Sequence, residues 1–468
     1  MIKIVDNIKN IKDSNLVVLL ESKECLSKYS FLDLDKVIVD NILFTIEKKE
    51  NTMMQFFIGR KNINSIFVIL HLDKNKRNLY ELLGEYIVKV PNNMTLTANN
   101  KEKLLPLVDS CLLSRYKFQN YLSEKKEDII NIICDDKYKK KVEERLETLN
   151  NIIIARDLGE TPTSDLHPEK FAEIIEKTKW KNTKVIVFGS KDVQKKGLGL
   201  LWAVGKGSIY KPCMVILERI VDKNLPTIGL VGKGVVYDSG GLNLKPEKWL
   251  YMMKDDMCGA ADVYAIMKEL DKKDLKVNII AAIPLAENAV SGEAYRPSDI
   301  IKSYSGKTIN VINTDAEGRL ILADGISYIS KNYKLDKVIS IATLTGACLF
   351  ALGYRYAGIM GDDREIIESL LKYSKTNFEK YLELPFDNYY IEKTKSEIAD
   401  YDNLREGIFA GSTMGGAFLY NFLLNKEKFT HIDIAGVANN SYEPYGLYAK
   451  GVTGFGVDSL SKLLLSLK

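Results

Sequence analysis

The chain has 468 residues, of which 46% are hydrophobic and 27% charged, and its formal net charge at pH 7 is +4. This composition is typical of a globular protein and excludes an intrinsically disordered chain, a collagen-like chain and a small disulfide-stabilised scaffold. Because basic and acidic residues nearly balance, the charge predicts no nucleic-acid partner. At about 150 residues per domain, the length predicts two or three domains.

The cysteines and the apolar segments bear on where the protein works. Six cysteines are scattered without a Cys-x-x-Cys pair, which argues against a zinc knuckle or a redox dithiol and favours reduced thiols in the cytoplasm. The first residues are charged where a signal peptide needs an apolar segment. Residues 338–354 are uncharged, but a membrane-spanning helix needs about 20 apolar residues. We interpret this stretch as a buried strand running into a loop, and expect no membrane association.

The first third of the chain has the alternating sequence pattern of an α/β unit. Short apolar runs at residues 16–20, 65–70 and 86–90 alternate with polar, lysine-rich stretches, a pattern that predicts strands between helices. Residues 126–153 then carry apolar side chains at helical spacing, which predicts one amphipathic helix linking two domains.

The rest of the chain contains stronger strand signals. Apolar runs that predict strands occur at residues 185–187, 213–217, 228–231, 277–283 and 338–341. Helical patterns lie between them, for example at residues 259–270. This alternation predicts a parallel or mixed sheet covered by helices on both faces. We therefore expect an α/β protein with two domains: an N-terminal α/β domain ending in the linker helix, at residues 1–155, and a second domain at residues 156–468.

A glycine-rich segment at residues 231–246 is the first candidate for chemistry. Its glycines allow the backbone to approach a ligand closely, and Lys233 and Lys245 flank the carboxylate of Asp238. A phosphate-binding loop is excluded, because Thr227 stands where its first glycine should be and a glycine, not Ser or Thr, follows Lys233.

Two further segments concentrate acidic residues. Residues 253–257 read Met-Lys-Asp-Asp-Met, and residues 313–319 read Asn-Thr-Asp-Ala-Glu-Gly-Arg. In an extended conformation Asp315, Glu317 and Arg319 would share one face. Oxygen ligands of this kind suit divalent cations, and several carboxylates in one site suit two. The alternative for each residue alone is an ordinary surface or interface ion pair.

Histidine and cysteine contribute little to the candidate chemistry. Only His71, His167 and His431 are present, and lone histidines of this kind are usually structural; we expect His167 at a helix start. Cys258 lies among small residues with no partner base nearby in sequence, so we expect it to be a packing residue.

Taken together, the three segments resemble the signatures of the leucyl aminopeptidase family, the dinuclear metallo-exopeptidases of the cytosol. The heptapeptide at residues 313–319 is complete and highly specific. Family-like segments also occur at residues 287–300, 342–347, 432–436 and 451–456. The resemblance runs from about residue 158 to the C-terminus, and implies that residues 156–468 form a catalytic metallopeptidase domain and residues 1–155 the family's variable domain.

The resemblance implies two divalent metal ions, Mn or Zn, with Mg or Co also possible. The family's metal ligands fall on Lys233, Asp238, Asp256, Asp315 and Glu317. One site would use Lys233, Asp238, Asp256 and Glu317; the other would use Asp238, Glu317 and both the side chain and the main-chain carbonyl of Asp315. A lysine ligates a metal only when neutral, and deprotonating it at pH 7 costs about 4.6 kcal/mol, which the dications must offset.

Lys245 and Arg319 fall on the family's two catalytic positions. Lys245, kept cationic, would stabilise the gem-diolate oxygen that develops during peptide hydrolysis. Arg319 cannot act as a base because it does not lose its proton; in the family it holds a bicarbonate ion that is the general base. The substrate's free amino terminus would bind one metal, so peptides with a free N-terminus are the expected substrates.

The family's substrate pocket falls on Met253, Asn313, Ala316, Leu344 and Gly346. The apolar Met253 and Leu344 are consistent with a leucine-like or methionine-like first residue; the alternative is that both belong to the core. The sequence departs from the family at Tyr237, where Phe is usual, and at Asp255, an additional acid that could tighten cation binding or face solvent.

The resemblance also implies a hexamer, a dimer of trimers.

Two other functions are alternatives to the metallo-aminopeptidase. A non-catalytic binding or regulatory protein could keep the same scaffold, although all the metal and catalytic positions hold the right residue types. A two-metal phosphoryl-transfer enzyme is the second alternative, but the chain has no phosphate loop and lysine is an unusual ligand there.

Overall fold

The computed structural model describes residues 1–6, 11, 13–25, 34–60, 63–72, 78–98 and 100–467. The chain divides into two compact units. The first unit comprises Met1–Asn150, Thr376–Phe378 and Ser441–Lys450, and the second comprises Asn151–Lys375, Glu379–Asn440 and Gly451–Lys468.

The first unit is built on a six-stranded sheet. Its strands are β1 (Ile2–Val5), β2 (Ser14–Leu20), β3 (Thr52–Arg60), β4 (Ile63–Leu70), β5 (Met94–Ala98) and β6 (Ile130–Ile133). The helices that begin in this unit are α1 (Lys36–Glu47), α2 (Leu79–Ile87), α3 (Lys101–Ser114) and α4 (Asp136–Glu160). The strand order is β1-β6-β5-β2-β4-β3. Neighbours are parallel except β3 and β4. Strand β2 is buried along its length and its residues 16–20 form a continuous apolar run, as expected of a strand covered on both faces.

Two expectations for this unit are wrong. Residues 86–90, expected to be a strand, lie at and beyond the end of helix α2, where Leu82, Leu83 and Ile87 form the buried face. Asn78 begins this helix by accepting a hydrogen bond from the backbone N–H of Tyr80. The helix expected from residue 126 begins only at Asp136, because the apolar residues before it form strand β6 and pair with β1 and β5.

The second unit contains the remaining elements. Its strands are β7 (Lys184–Phe188), β8 (Cys213–Arg219), β9 (Thr227–Gly232), β10 (Gly234–Asp238), β11 (Asn278–Asn288), β12 (Ile300–Lys302), β13 (Thr308–Asn310), β14 (Lys337–Ala342), β15 (Ala357–Gly361), β16 (Tyr381–Glu383), β17 (Tyr401–Asp402), β18 (Lys428–Asp433), β19 (Asn439–Asn440) and β20 (Gly451–Val452). Its helices are α5 (Pro168–Lys177), α6 (Ser190–Lys196), α7 (Gly199–Gly205), α8 (Glu247–Leu250), α9 (Cys258–Leu270), α10 (Gly318–Asn332), α11 (Gly346–Leu352), α12 (Arg364–Thr376), α13 (Asn388–Glu392), α14 (Gly411–Tyr420) and α15 (Val457–Ser466).

A nine-stranded mixed sheet forms the centre of the second unit. The order is β16-β15-β18-β14-β9-β11-β8-β7, with β10 beside β11. The central strands β18, β14, β9 and β11 are mutually parallel, whereas β15, β8 and β7 introduce antiparallel pairs. Helices such as α7, α9 and α10 pack against this sheet. The expected α/β fold with a mixed, largely parallel sheet is confirmed.

The strands expected in this unit are all present, and helix α9 corresponds to the helical pattern at residues 259–270. The uncharged stretch at residues 338–354 begins as the buried strand β14 and runs into a short loop at residues 343–345, as expected. The short helix α11, which was not expected, follows that loop. Thr345 starts this helix by accepting a hydrogen bond from the backbone N–H of Cys348. Within the part of the chain that the structure describes, no helix has both the length and the apolar character required to cross a membrane.

Candidate functional site

The candidate residues gather at the carboxyl ends of the parallel strands of the second unit. Lys233 directly follows β9, Asp238 is the last residue of β10, and Thr343 directly follows β14. Because β9, β14 and β11 are parallel and β10 pairs in parallel with β11, these residues lie at one edge of the sheet. This is the edge at which open α/β sheets place their ligands.

Lys233 lies at the point where three segments of the chain converge. Its side chain is 3% exposed, and its Nζ lies 2.7 Å from Asp256 Oδ1 and 2.9 Å from Glu317 Oε1. The same Nζ donates a hydrogen bond of 2.8 Å to the carbonyl oxygen of Thr343. One buried amine therefore joins the turn before α9, the start of α10 and the end of β14.

Lys245 makes the second set of ion pairs. Its Nζ lies 2.8 Å from Asp238 Oδ2 and 2.6 Å from Asp315 Oδ1. The other oxygen of Asp238 accepts hydrogen bonds from the backbone N–H of Gly240 at 2.9 Å and from Asn288 Nδ2 at 2.8 Å. The side chain of Asp238 is thereby oriented, with one oxygen facing Lys245.

The donor set and its unsatisfied atoms fit divalent cations. Asp238, Asp315 and Glu317 each offer a carboxylate oxygen, and these oxygens lie within 4.8 Å of one another. Asp256 Oδ2 and Glu317 Oε2 are buried and have no hydrogen-bond partner among the described residues. Buried carboxylate oxygens normally have partners, and oxygen ligands of this type bind divalent metals. The site therefore offers both the ligand types and the unpaired carboxylate oxygens that a metal centre requires.

The pKa values in the cluster show how strongly its charges interact. Burial, together with the nearby Glu317, raises the pKa of Asp238 to about 6. Burial raises the pKa of Asp256 well above its usual range. Burial alone would lower the pKa of Lys233, but the charges of Asp256 and Glu317 raise it instead. Crowded carboxylates that share two lysines are the arrangement that bound dications would stabilise.

The backbone at Arg319 is helical and not extended. Residues 313–317 form a turn and helix α10 begins at Gly318, so the extended conformation considered for residues 315–319 is wrong. Arg319 lies in the first turn of the helix, is buried, and donates a hydrogen bond of 2.9 Å from Nη1 to the carbonyl oxygen of Asn403. Burial lowers its pKa to about 10, so it remains a cation at neutral pH.

The five positions expected to form the substrate pocket lie on the segments that meet at Lys233. Met253 begins a single 3-10 turn, Asn313 and Ala316 lie on the turn before α10, and Leu344 and Gly346 follow β14. Leu344 also packs against the hydrophobic core cluster of this unit, so part of its surface belongs to the core.

Sequence reasoning missed several supporting residues. Asn288 bridges two segments by donating to Asp238 and to the carbonyl of Thr314. Asp433, at the end of β18, accepts hydrogen bonds from Thr345 Oγ1 at 2.6 Å and from the backbone N–H of Leu344 at 3.2 Å. The available signal was their position: each is the last residue of a strand, and the two strands end at the same sheet edge.

The remaining candidates have structural roles. Asp255 is buried and accepts a hydrogen bond of 2.8 Å from Asn439 Nδ2 rather than facing solvent; burial raises its pKa to about 7. Tyr237 donates its hydroxyl proton to the carbonyl of Leu250. His167 begins α5, as expected. Cys258 is buried, and burial raises its pKa well above that of an ordinary thiol, which leaves it unreactive.

Comparison with known proteins identifies the family. The sequence profile of the "Cytosol aminopeptidase family, catalytic domain" matches residues 153–461, a range that includes every candidate metal ligand. The chain belongs to the cytosol aminopeptidase family. It is accordingly a leucyl-type metallo-aminopeptidase, a hydrolase that acts on peptides.

Individual relatives agree with this assignment. A "Probable cytosol aminopeptidase" of Rickettsia bellii (strain OSU 85-389) is 35% identical over 393 residues, which cover 81% of this chain and 77% of the relative. One of Chlorobium limicola is 41% identical over 314 residues, 66% of this chain and 61% of the relative. The solved structure "Bottromycin maturation enzyme BotP in complex with Mn" superposes with a TM-score of 0.82 at 26% identity, covering 97% of this chain and 99% of that one.

Proposed function

We propose that this aminopeptidase holds two divalent metal ions and releases N-terminal residues, with leucine-like and other apolar residues preferred. The observation that carries the proposal is a pair of buried carboxylate oxygens, Asp256 Oδ2 and Glu317 Oε2, that have no partner among the described residues. The other oxygen of each carboxylate contacts Lys233. An unpaired buried carboxylate oxygen is costly in free energy unless a cation binds it.

The two ions would have overlapping sets of ligands, with Asp238 and Glu317 in both. Lys233, Asp238, Asp256 and Glu317 would hold one, and Asp238, Glu317 and Asp315 the other. In support, Asp238, Asp315 and Glu317 present oxygens to a common volume, and Lys233 contacts two of the acids directly. Oxygen and amine ligands accept Mn, Zn, Mg or Co; the Mn present in the structural neighbour favours Mn.

The chain's own residues would then divide the work of hydrolysis. Bound divalent ions would supply a water of lowered pKa and polarise the scissile carbonyl. Lys245 would remain cationic, since the charges of Asp238 and its neighbours raise its pKa despite the opposing effect of burial, and would stabilise the negative oxygen that develops on the substrate. Arg319, also cationic, would hold a bicarbonate ion that accepts the proton.

The preference for the first residue would come from Met253, Asn313, Ala316, Leu344 and Gly346. Met253 and Leu344 are apolar and partly exposed at the segments that meet at Lys233. Apolar pockets discriminate by only about 1–3 kcal/mol for each methylene, so we expect a broad preference centred on leucine and methionine.

We also propose that the enzyme acts in the cytoplasm as a hexamer. The names of its relatives, which are cytosol aminopeptidases, support the location, and the hexamer rests on the resemblance to the leucyl aminopeptidase family. Sedimentation velocity of the purified protein tests the assembly: a hexamer gives a single species of about six times the monomer mass, and a monomer would contradict the proposal.

Hydrolysis of leucine anilide tests the catalytic proposal. The protein is stripped of metal by a chelator, assayed, supplied with Mn²⁺ and assayed again, with N-acetyl-leucine anilide as a blocked substrate. We expect activity that disappears with the chelator, returns with Mn²⁺ and is absent on the blocked substrate. Bound Mn²⁺ with no turnover would contradict it and favour a non-catalytic binding protein; hydrolysis of a chromogenic phosphate ester instead would favour phosphoryl transfer.

A further inference from the structure

A buried asparagine from a distant segment contacts the turn that carries two of the proposed metal ligands. Asn403 directly follows strand β17, is 0% exposed, and lies beside residues 312–316. Its own backbone N–H donates a hydrogen bond of 3.0 Å to the carbonyl of Asn310, which places it at the end of the small sheet formed by β12, β13 and β17.

The side chain of Asn403 bonds to both ends of this turn. Its Oδ1 accepts hydrogen bonds from the backbone N–H groups of Ile312 at 2.8 Å and Asn313 at 3.3 Å. Its Nδ2 donates to the carbonyl oxygens of Asn313 at 2.7 Å and Ala316 at 3.4 Å. The carbonyl of the same residue accepts the hydrogen bond from Arg319 Nη1.

The turn depends on such contacts because it has no regular secondary structure to satisfy its backbone. One amide side chain supplies both donors and an acceptor, so a single residue fixes the backbone on either side of Asp315. The side chain of Asp315 emerges within this clamped segment, and Glu317 directly follows Ala316 at its end.

We infer that Asn403 is a positioning residue that sets the geometry of the metal ligands Asp315 and Glu317 and, through its carbonyl, the orientation of Arg319. This inference rests on the proposed function, since it assumes that the two acids bind metal. Replacing a residue that orients metal ligands by hydrogen bonds commonly changes metal affinity or activity by about 10–100-fold.

The test compares three variants. Asn403→Ala removes all the side-chain hydrogen bonds, and Asn403→Asp keeps an oxygen for the N–H groups but places its other oxygen against two carbonyls. Asn310→Ala is the matched control: Asn310 is also buried and donates a hydrogen bond to Asp402 between the same strands. Each protein is titrated with Mn²⁺ after chelation, and its metal affinity, thermal unfolding, kcat and KM are measured.

We expect both Asn403 variants to bind Mn²⁺ about 10–100-fold more weakly than the wild type. At saturating Mn²⁺ we expect a lower kcat with KM little changed, whereas Asn310→Ala keeps the wild-type affinity. Wild-type affinity and kcat in a folded Asn403→Ala protein would overturn the inference. If that variant does not fold, Asn403→Asp decides; failure of both to fold while Asn310→Ala folds would show a general scaffold role instead.

Failure of this inference can be distinguished experimentally from failure of the proposed function. If the wild type binds no Mn²⁺, or if Asp315→Ala and Glu317→Ala bind it normally, the metal-site proposal fails. If those variants lose metal and the Asn403 variants do not, only the positioning role fails.

Discussion

Lys245 and Lys233 are close in sequence and both face the acids, yet they differ in burial and in contacts. The side chain of Lys233 is 3% exposed and contacts Asp256 and Glu317. The side chain of Lys245 is 16% exposed and contacts Asp238 and Asp315. The more exposed lysine is therefore the one that a substrate can reach, which agrees with a ligand role for Lys233 and a catalytic role for Lys245.

Replacing Lys245 separates catalysis from metal binding. We expect Lys245→Ala to lower kcat on leucine anilide about 10²–10³-fold, because a cation that stabilises the developing oxyanion is lost. Removing this positive charge leaves Asp238 and Asp315 in place, so metal content should not fall. Kinetics and elemental analysis measure the two effects, with Lys248→Ala on exposed helix α8 as the control. Loss of metal in step with kcat would contradict a catalytic role.

The burial of His431 makes the free energy of unfolding depend on pH. It is fully buried on β18, where its Nδ1 lies 2.8 Å from Ser340 Oγ, and burial lowers its pKa to about 4. In the unfolded state the imidazole of His431 has a pKa near 6.5, so it binds a proton there first as the pH falls. The free energy of unfolding therefore decreases by about 3 kcal/mol between about pH 6.5 and about pH 4.

Urea unfolding at several pH values measures this dependence. His431→Gln should flatten the slope between pH 4 and 6.5, whatever its effect on stability at pH 7. An unchanged slope in His431→Gln would show that another group is responsible.

Among the secondary-structure elements, helix α9 comes unusually close to the sheet at its first turn. A Cβ added to Gly259 would lie 2.3 Å from the carbonyl oxygen of Ile341 on β14. This close approach brings the helix start, and the adjacent Asp256, up to the sheet edge where Lys233 lies. The absence of a side chain at this position is thus a condition for assembling the site.

Gly259→Ala tests that packing. We expect the free energy of unfolding to fall by about 1–3 kcal/mol because the backbone must shift to relieve the contact, and kcat to fall as Asp256 moves. Chemical denaturation and activity assays measure both. Gly292→Ala is the control, since a Cβ there meets nothing within 4 Å. Equal stability of the two variants would contradict the predicted contact.

Element boundaries also show where local patterns mislead. The apolar residues of strand β6 recur at helical spacing with those of α4, yet β6 pairs in register with β1 and β5. Pairing with strands that lie 36 and 128 residues away in the sequence outweighed the local helical period there. In α2 the opposite occurred: a short apolar run at a helix end could not be distinguished from a strand by length alone.

At the scale of the whole molecule, metal binding should stabilise the fold. The acids of the site are drawn from β10, the turn before α9 and the turn before α10, so a bound ion links elements that are separate in the unfolded chain. A ligand that binds only the folded state adds about 2.7 kcal/mol to the free energy of unfolding at 100 times its dissociation constant.

Thermal unfolding with and without Mn²⁺ measures this effect. We expect the chelated wild type to melt at a lower temperature and to recover when Mn²⁺ is restored. The shift should shrink in Asp256→Asn, which removes a proposed ligand, and persist in Asp274→Asn, whose carboxylate is exposed. Equal melting temperatures for the chelated and Mn²⁺-loaded wild type would contradict a metal centre that stabilises the fold.

The sequence by itself determined the α/β class, most strands of the second unit and the residues of the candidate site, because strand periodicity and a motif's ligand types are local properties. Only the tertiary structure decided that residues 130–133 form a strand, that Arg319 lies in a helix, and that Asn288, Asp433 and Asn403 hydrogen-bond to the segments that carry the candidate residues. The hydrogen bonds that these three side chains make to those segments cross 26 to 91 residues of chain. Partners so distant are chosen by the packing of whole elements, which no local pattern records.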